Sequence, residues 1–398
     1  MARQMAANRN IRKVKPQSKQ RAESYFDYSL LFIIIFLVGF GLLIIYSSSS
    51  YDAQLSGLDA AYYARKQFFA ILLGFVLMFF TIMLDYHFWA KFYIVGYFLS
   101  IALMIAVKTP LGITRNGATR WIGVGSMSFQ PAEVVKLEVI LFFAVMVCKL
   151  GKKIMKWKTA IALFSTVLPF VAMLYLVTDN LSSAIIVLAI AFVIVFVATP
   201  KYKGYFAMGA AGISAVLFVI YQVEQDFIAS GGAGGDSFRL TRIAAWLHPE
   251  SFTSTTSFQT LQSLYAIGSG SLFGKGLGES MQKLGFLPEA QNDMIFAIIC
   301  EELGLFGAVG VILLFVMMIW RFMVIANNAP DLFGSILVVG VMAHIAVQVI
   351  LNIAVVTNTI PNTGISLPFI SYGGTSEMFL LVEMGLVLSV SKRIRVEY

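Results

Sequence analysis

Charge is scarce in this chain. Of its 398 residues only 13% are Asp, Glu, Lys or Arg, against 59% hydrophobic. That is about half the charged share of an ordinary water-soluble domain, and it excludes a soluble globule of this length without large exposed apolar patches. Cysteine is nearly absent. Cys148 and Cys300 both fall in apolar runs, at different depths of the topology derived below, which argues against a disulfide, and two cysteines cannot build a four-ligand zinc site. The three histidines, His87, His248 and His344, lack metal-ligand spacing and read as structural. No basic run is interleaved with aromatics, so nucleic acid is not an expected partner.

Apolar sequence is abundant, with a mean hydropathy of +0.82. Ten apolar segments stand out, at about 29–47, 67–84, 92–108, 133–149, 159–177, 181–199, 204–223, 293–320, 332–356 and 376–391. Several are close to the roughly 20 residues that cross a bilayer as a helix. The expected fold is therefore all-α: a polytopic membrane protein with about ten transmembrane helices in residues 28–393. A tail at 1–27 carries Arg3, Arg9, Arg12, Lys13, Lys15, Lys19 and Arg21, and a short tail covers 394–398. No small-residue cleavage site follows Leu30 to Tyr46, so the basic tail reads as a retained arm facing anionic lipid, with its first stretch disordered. Most Lys and Arg fall on the side of this tail, which places both termini in the cytoplasm.

That orientation puts three polar loops outside, at 109–130, 224–292 and 357–375, the second long enough to hold structure of its own. It closes on Leu287-Pro288-Glu289-Ala290-Gln291-Asn292-Asp293 at the edge of an apolar helix. Asp293 there can cap the helix or, meeting both water and lipid, act on a substrate. Glu301 and Glu302 lie roughly 12 Å deeper, where unpaired charge is costly and the acids must face protein or a wet cavity. Glu383 is a further buried acid. The Gly/Ser-rich run from Gly268 to Gly278 lacks the P-loop spacing and reads as a flexible lid. In the first outer loop Gln130-Pro131 opens a helix, and Glu133 and Lys136 share one face, able to pair with each other or to draw phosphate.

These motifs together carry a resemblance. Asn116-Gly117-Ala118-Thr119-Arg120-Trp121, then Gln130-Pro131-Ala132-Glu133 with Lys136, then Leu287-Pro288-Glu289-Ala290 through Asp293 to Glu301-Glu302-Leu303-Gly304, and Ser371-Tyr372-Gly373-Gly374-Thr375-Ser376 occur in order. The chain from about residue 28 to 393 is similar to the SEDS family of bacterial cell-wall proteins, and closer to its FtsW and SpoVE branch than to RodA. The resemblance implies a peptidoglycan glycosyltransferase in the cytoplasmic membrane that polymerises lipid II at the outer face, releases undecaprenyl pyrophosphate and serves septal synthesis. It also implies a class B penicillin-binding transpeptidase, FtsI-like, and other division proteins as partners. It places the functional acid at Asp293 and carries Glu133 and Lys136 as family positions.

Such a reaction needs a carboxylate base, here Asp293, and cations for the leaving pyrophosphate, here Lys136, Arg65, Lys66 and Arg120, with Gln130 beside them. No metal cluster is evident in the sequence, and a divalent cation bridging Asp293 and pyrophosphate is chemically allowed. The chain departs from the family at Gln291-Asn292, at Lys66 and at Thr178-Asp179-Asn180-Leu181-Ser182-Ser183, so no role is carried onto Asp179. A lipid-linked-sugar flippase or a non-catalytic division scaffold are the alternatives. A flippase would place its polar site at the midplane, whereas here the polar residues gather at the outer ends.

Overall fold

In the computed structural model, residues 23–115, 117–124, 127–199, 202–229, 238–252 and 257–396 are described. The basic tail up to residue 22 and Asn116 lie outside these residues. Every expected apolar segment is helical. The helices are α1 (Tyr28–Leu55), α2 (Tyr62–Met83), α3 (Tyr86–Ala90), α4 (Tyr93–Ala106), α5 (Pro131–Leu150), α6 (Trp157–Ser165), α7 (Leu168–Leu176), α8 (Leu181–Ala198) and α9 (Tyr202–Ala229). They continue as α10 (Phe238–Leu247), α11 (Phe258–Ser269), α12 (Ile295–Asn327), α13 (Leu332–Val356) and α14 (Gly374–Ser391).

Among the described residues, seven spans are long and apolar enough to cross a membrane, α6 and α7 together counting as one. The shorter α4 is also apolar. Pro169 in the first turn of α7 interrupts the stretch expected as one helix, because proline suits a helix start and not its interior. The 20-residue α5 carries Glu133, Lys136, Glu138 and Lys149, and the first three are buried within the bundle. Large apolar side chains such as Phe32, Phe69, Phe79 and Leu313 point outward, as they do where the solvent is lipid. The chain is an all-α polytopic membrane protein.

Packing within the bundle uses small residues where helices approach. A Cβ added at Gly74 of α2 would lie 2.6 Å from the Leu381 side chain of α14, and one at Gly385 of α14 would lie 2.8 Å from the Met78 carbonyl. These two glycines let the backbones come together without lipid between them. Helix starts are capped by short polar side chains: Asp27 Oδ1 accepts from the Leu30 N–H at 2.9 Å, Asn180 Oδ1 from Ser183 at 3.0 Å and Asp331 Oδ1 from Gly334 at 2.9 Å.

The two ends of the bundle differ in construction. At one end β1 (Glu23–Ser24) pairs antiparallel with a C-terminal strand (Arg395–Val396), so the first and last described residues lie on one side. Arg321 of α12 grips Asp27 there through Nε at 3.0 Å and Nη2 at 2.6 Å. Asp293 precedes the other end of α12, about 40 Å away along the helix, a distance sufficient to traverse a bilayer.

At that second end the first outer loop is a three-stranded antiparallel sheet of β2 (Gly112–Arg115), β3 (Ala118–Val124) and β4 (Met127–Phe129), with Gly112 opposite Ile122 and Ile122 opposite Phe129. The C-terminal strand is thus β5. The long second loop contains the end of α9, then α10 and α11. It is tied to the third loop by the Trp246 indole N–H donating to the Asn358 carbonyl at 2.9 Å, and to the end of α13 by the Ser263 hydroxyl donating to the Val356 carbonyl at 2.9 Å.

Candidate functional site

The turn before α12 places Asp293 at the meeting point of the second and third outer loops. The helix begins at Ile295 with Met294 in the cap position and no side-chain cap, so the capping role open to Asp293 is not the one it fills. Its Oδ1 instead accepts from Gln259 Nε2 of α11 at 3.3 Å, and the same amide donates to the Pro288 carbonyl at 3.1 Å. Asn362 Nδ2 donates to Gln259 Oε1 at 2.8 Å, which fixes the amide's orientation, and Arg242 of α10 donates to the Asn362 carbonyl at 3.4 Å. Asn352 of α13 holds the backbone from below, donating to the Asp293 carbonyl at 2.8 Å and to that of Ile365 at 2.7 Å.

This surrounding raises the proton affinity of Asp293. Burial pushes its carboxyl up to about 7, and the negative charge of Glu289 acts in the same direction. Its own backbone N–H, the Gln259 hydrogen bond and the Arg242 charge pull the other way. A carboxyl that titrates near neutrality is matched to proton abstraction at physiological pH.

The Ser371–Ser376 turn joins Asp293 to the Glu133–Lys136 pair. Ser371 Oγ donates to the Asn292 carbonyl at 2.7 Å and the Tyr372 N–H to the Gln291 carbonyl at 2.9 Å. Four residues after Tyr372, Ser376 Oγ donates to Glu133 Oε2 at 3.2 Å, and the same oxygen meets Lys136 Nζ at 2.8 Å. Both members of the pair are buried in the first turns of α5, where Gln130 occupies the cap position and Pro131 the first helical one.

The other expected cations are placed differently. Arg120 of β3 is half-buried and donates to the carbonyls of Thr178 and Asp179, at 3.2 and 2.7 Å, so the altered Thr178–Ser183 segment is its anchor. Burial, followed by the nearby charge of Arg242, lowers its proton affinity, which puts the two guanidinium groups in one electrostatic neighbourhood. Arg65 and Lys66 are exposed at the start of α2, where Arg65 pairs with Asp59 and Lys66 Nζ reaches the Tyr62 hydroxyl at 2.5 Å. Next in that stretch, Gln67 is tied to the site, its Oε1 accepting from the Gly373 N–H at 3.1 Å.

The deeper acids are neutralised, and the lid expectation is overturned. Glu301 and Glu302 are fully buried, Glu301 against Lys275 at 2.6 Å and Glu302 against Lys283 at 2.8 Å and Ser47 Oγ at 2.6 Å. α12 breaks at Gly304, where φ is 68° and ψ is −165°. The glycine-rich run fills the break: the Lys275 and Gly276 N–H groups donate to the Glu301 and Glu302 carbonyls, both at 2.9 Å, and Ser271 and Leu272 accept from Leu305 and Phe306. The segment is a stitched-in part of the bundle because a broken helix leaves backbone groups that must find partners away from water.

Sequence reasoning missed Gln259, Arg242, Asn352 and Asn362, all neutral or basic polar residues within outer loops or at helix ends. It also missed the small sheet, although Asn116-Gly117 between Ile113-Thr114 and Thr119 to Ile122 is a hairpin signal. His87, His248 and His344 each meet a carboxylate, at 2.8, 2.9 and 2.8 Å. Both cysteines are free, and no group of three or more His, Cys, Asp or Glu placed to hold a metal exists among the described residues.

Comparison with known proteins agrees with these motifs. The FtsW/RodA/SpoVE group of cell cycle proteins matches residues 28–396. Stage V sporulation protein E of Bacillus subtilis (strain 168) is 35% identical over 367 residues, which cover 92% of this chain and 97% of that protein. A probable peptidoglycan glycosyltransferase FtsW of Trichlorobacter lovleyi is 34% identical over 367 residues, 92% of this chain and 93% of its own length. A chain from a solved peptidoglycan synthase complex superposes with a TM-score of 0.70 at 24% identity, covering 92% of this chain and 97% of that one.

Proposed function

Because this chain belongs to the FtsW/RodA/SpoVE family of cell cycle proteins, we propose that it is a peptidoglycan glycosyltransferase of the cytoplasmic membrane, polymerising lipid II into glycan strands at the outer face. The observation that supports this reading most directly is Asp293, a carboxyl with raised proton affinity at the end of the bundle opposite the termini, held by Gln259. Asp293 takes the proton from the acceptor sugar hydroxyl, whose oxygen bonds to the anomeric carbon of the donor. The bond from that carbon to the pyrophosphate oxygen breaks, and undecaprenyl pyrophosphate departs with the electron pair.

Arg242, Arg120 and Lys136 are the cations we assign to the growing charge of the leaving group, Lys136 by way of its pair with Glu133. Arg65 and Lys66 lie at the rim and serve the polar head of the incoming lipid. If the reaction used a divalent cation, Asp293 would be the residue to hold it, and the ion would offset the charge developing on the leaving pyrophosphate. Both termini are then cytoplasmic, in keeping with the basic tail. Septal synthesis beside a class B penicillin-binding transpeptidase is the cellular setting that similarity to FtsW and SpoVE supports.

Purified protein and an Asp293→Ala variant, given labelled lipid II in proteoliposomes, test the assignment. Glycan chains from the native protein alone are the expected result. Movement of lipid II across the bilayer without chain growth would instead identify a flippase, and neither activity would identify a scaffold.

A further inference from the structure

The face that carries the termini holds a cavity of about 710 Å³ with no part in the chemistry above. Its lining includes Tyr86 and His87 of α3, Asp331 before α13, and Lys392, Arg393 and Arg395 after α14. The charges within it are unequally committed. Asp331 caps α13 and accepts from the Tyr86 hydroxyl, with His87 Nε2 at 3.3 Å. Arg393 is held by Asp85 at 3.1 Å and lies over the Tyr86 ring at 5.5 Å. Lys392 and Arg395 are exposed and take no carboxylate partner among the described residues. The acids at this place are thus consumed by the protein, and two cations are left over beside a fixed third.

We propose that this cavity seats the phosphate of an anionic phospholipid, with Lys392 and Arg395 as its ligands and Arg393 as the wall behind them. A lipid fits this anion site better than a soluble anion because exposed apolar side chains adjoin the lining residues in sequence. Met83, Leu84 and Phe88 surround Tyr86 and His87, and Leu332 follows Asp331, and all four are exposed. A lipid with its headgroup in the cavity can lay its acyl chains on these exposed apolar side chains, whereas a soluble phosphate gains nothing from them. The site lies just beyond the ends of the apolar helices, at headgroup level.

Native mass spectrometry of the full-length protein titrated with phosphatidylglycerol tests this. Each cation near an anionic headgroup contributes about fivefold in affinity, so Lys392→Gln with Arg395→Gln should weaken binding roughly thirtyfold. Lys152→Gln with Lys153→Gln, at the same end of the bundle beyond α5, should leave it close to native. Equal weakening in that control would reduce the effect to general attraction between basic loops and anionic lipid, and the proposal would fail. It would fail too if phosphatidylcholine bound as tightly, or if millimolar inorganic phosphate displaced the lipid and so revealed a soluble-anion site. Thermal unfolding of each variant checks the fold, and the single Lys392→Gln variant, expected to lose about fivefold, carries the test if the double variant is unstable.

Discussion

Asp293 and the Glu301–Glu302 pair stand within one turn-and-helix segment, yet their environments are opposite. Each glutamate meets a lysine at 2.6 or 2.8 Å; Ser280 and backbone N–H groups satisfy both oxygens of Glu301, while Ser47 joins Lys283 on one oxygen of Glu302. Asp293 is met by a neutral amide at 3.3 Å, with Arg242 acting from further away. A charge paired with a lysine at contact distance has little left to offer a substrate, whereas an undercompensated carboxylate has a raised proton affinity and can take up a proton near neutral pH. The deep acids therefore read as structure, and the outer acid as chemistry.

The largest effect that can test this contrast is the loss of Asp293 itself. Asp293→Asn keeps the volume and can still accept from Gln259, but it cannot take a proton. Glycan polymerisation should fall by roughly 10² to 10⁴ fold, the range supplied by a positioned base, with the melting temperature nearly unchanged. Activity close to native in this variant would move the base elsewhere.

Lys136 is the next test, since its pair with Glu133 stands between the two extremes. It is buried and matched like the deep acids, yet linked by Ser376 and the Ser371–Ser376 turn to the residues beside Asp293. Lys136→Ala should abolish detectable polymerisation. The exchanged variant, Glu133→Lys with Lys136→Glu, should regain thermal stability but not activity, because the cation has moved by most of a helical turn. An active exchanged variant would make the pair purely structural.

Much of this was legible in the chain. The apolar segments marked every long helix, since in lipid a helix is the solution that satisfies the backbone within a single segment. Pro131 marked a helix start, whereas Pro169 passes unmarked within a stretch that reads as one helix, and the Leu287 to Asp293 motif marked the candidate site. The partners of Asp293 were not legible, because Gln259, Asn352 and Asn362 are common polar residues whose meaning comes from contacts across more than thirty positions. Nor was the fate of the glycine-rich run: a glycine run signals freedom of the backbone, and only the break at Gly304 shows that the freedom is used to fit a tight junction. There an added Cβ would lie 2.3 Å from the Gly274 nitrogen.

Breaking a deep pair should reverse the pattern seen with Asp293. Lys283→Ala leaves the Glu302 carboxylate buried with the Ser47 hydroxyl as its hydrogen-bond donor, a loss of about 3–5 kcal/mol for an uncompensated buried charge. The melting temperature in detergent should drop by several degrees, and Lys283→Ala with Glu302→Leu should recover part of it. Activity per folded molecule should stay within a few fold of native. A large fall in that ratio with an unchanged melting temperature would place Lys283 in the chemistry.

The smallest effect sharpens the comparison most, because it reads the proton on Asp293 directly. A base must be unprotonated to act, so kcat/KM should rise with pH along a limb centred near the carboxyl's value of about 7. Gln259 stabilises the charged form of Asp293 and so lowers this value. Its replacement in Gln259→Leu should move the limb upward, by about half a pH unit to one unit for a single hydrogen bond of 3.3 Å at a partly exposed site. The sign then requires the variant to lose most activity at pH 6 to 7 and to approach native rates at higher pH. Gln259→Glu places a second negative charge beside the first and should move the limb further in the same direction. A uniform loss of rate at every pH would mean that Gln259 only holds the loop in place, and a limb that stays fixed in all three proteins would belong to a group other than Asp293.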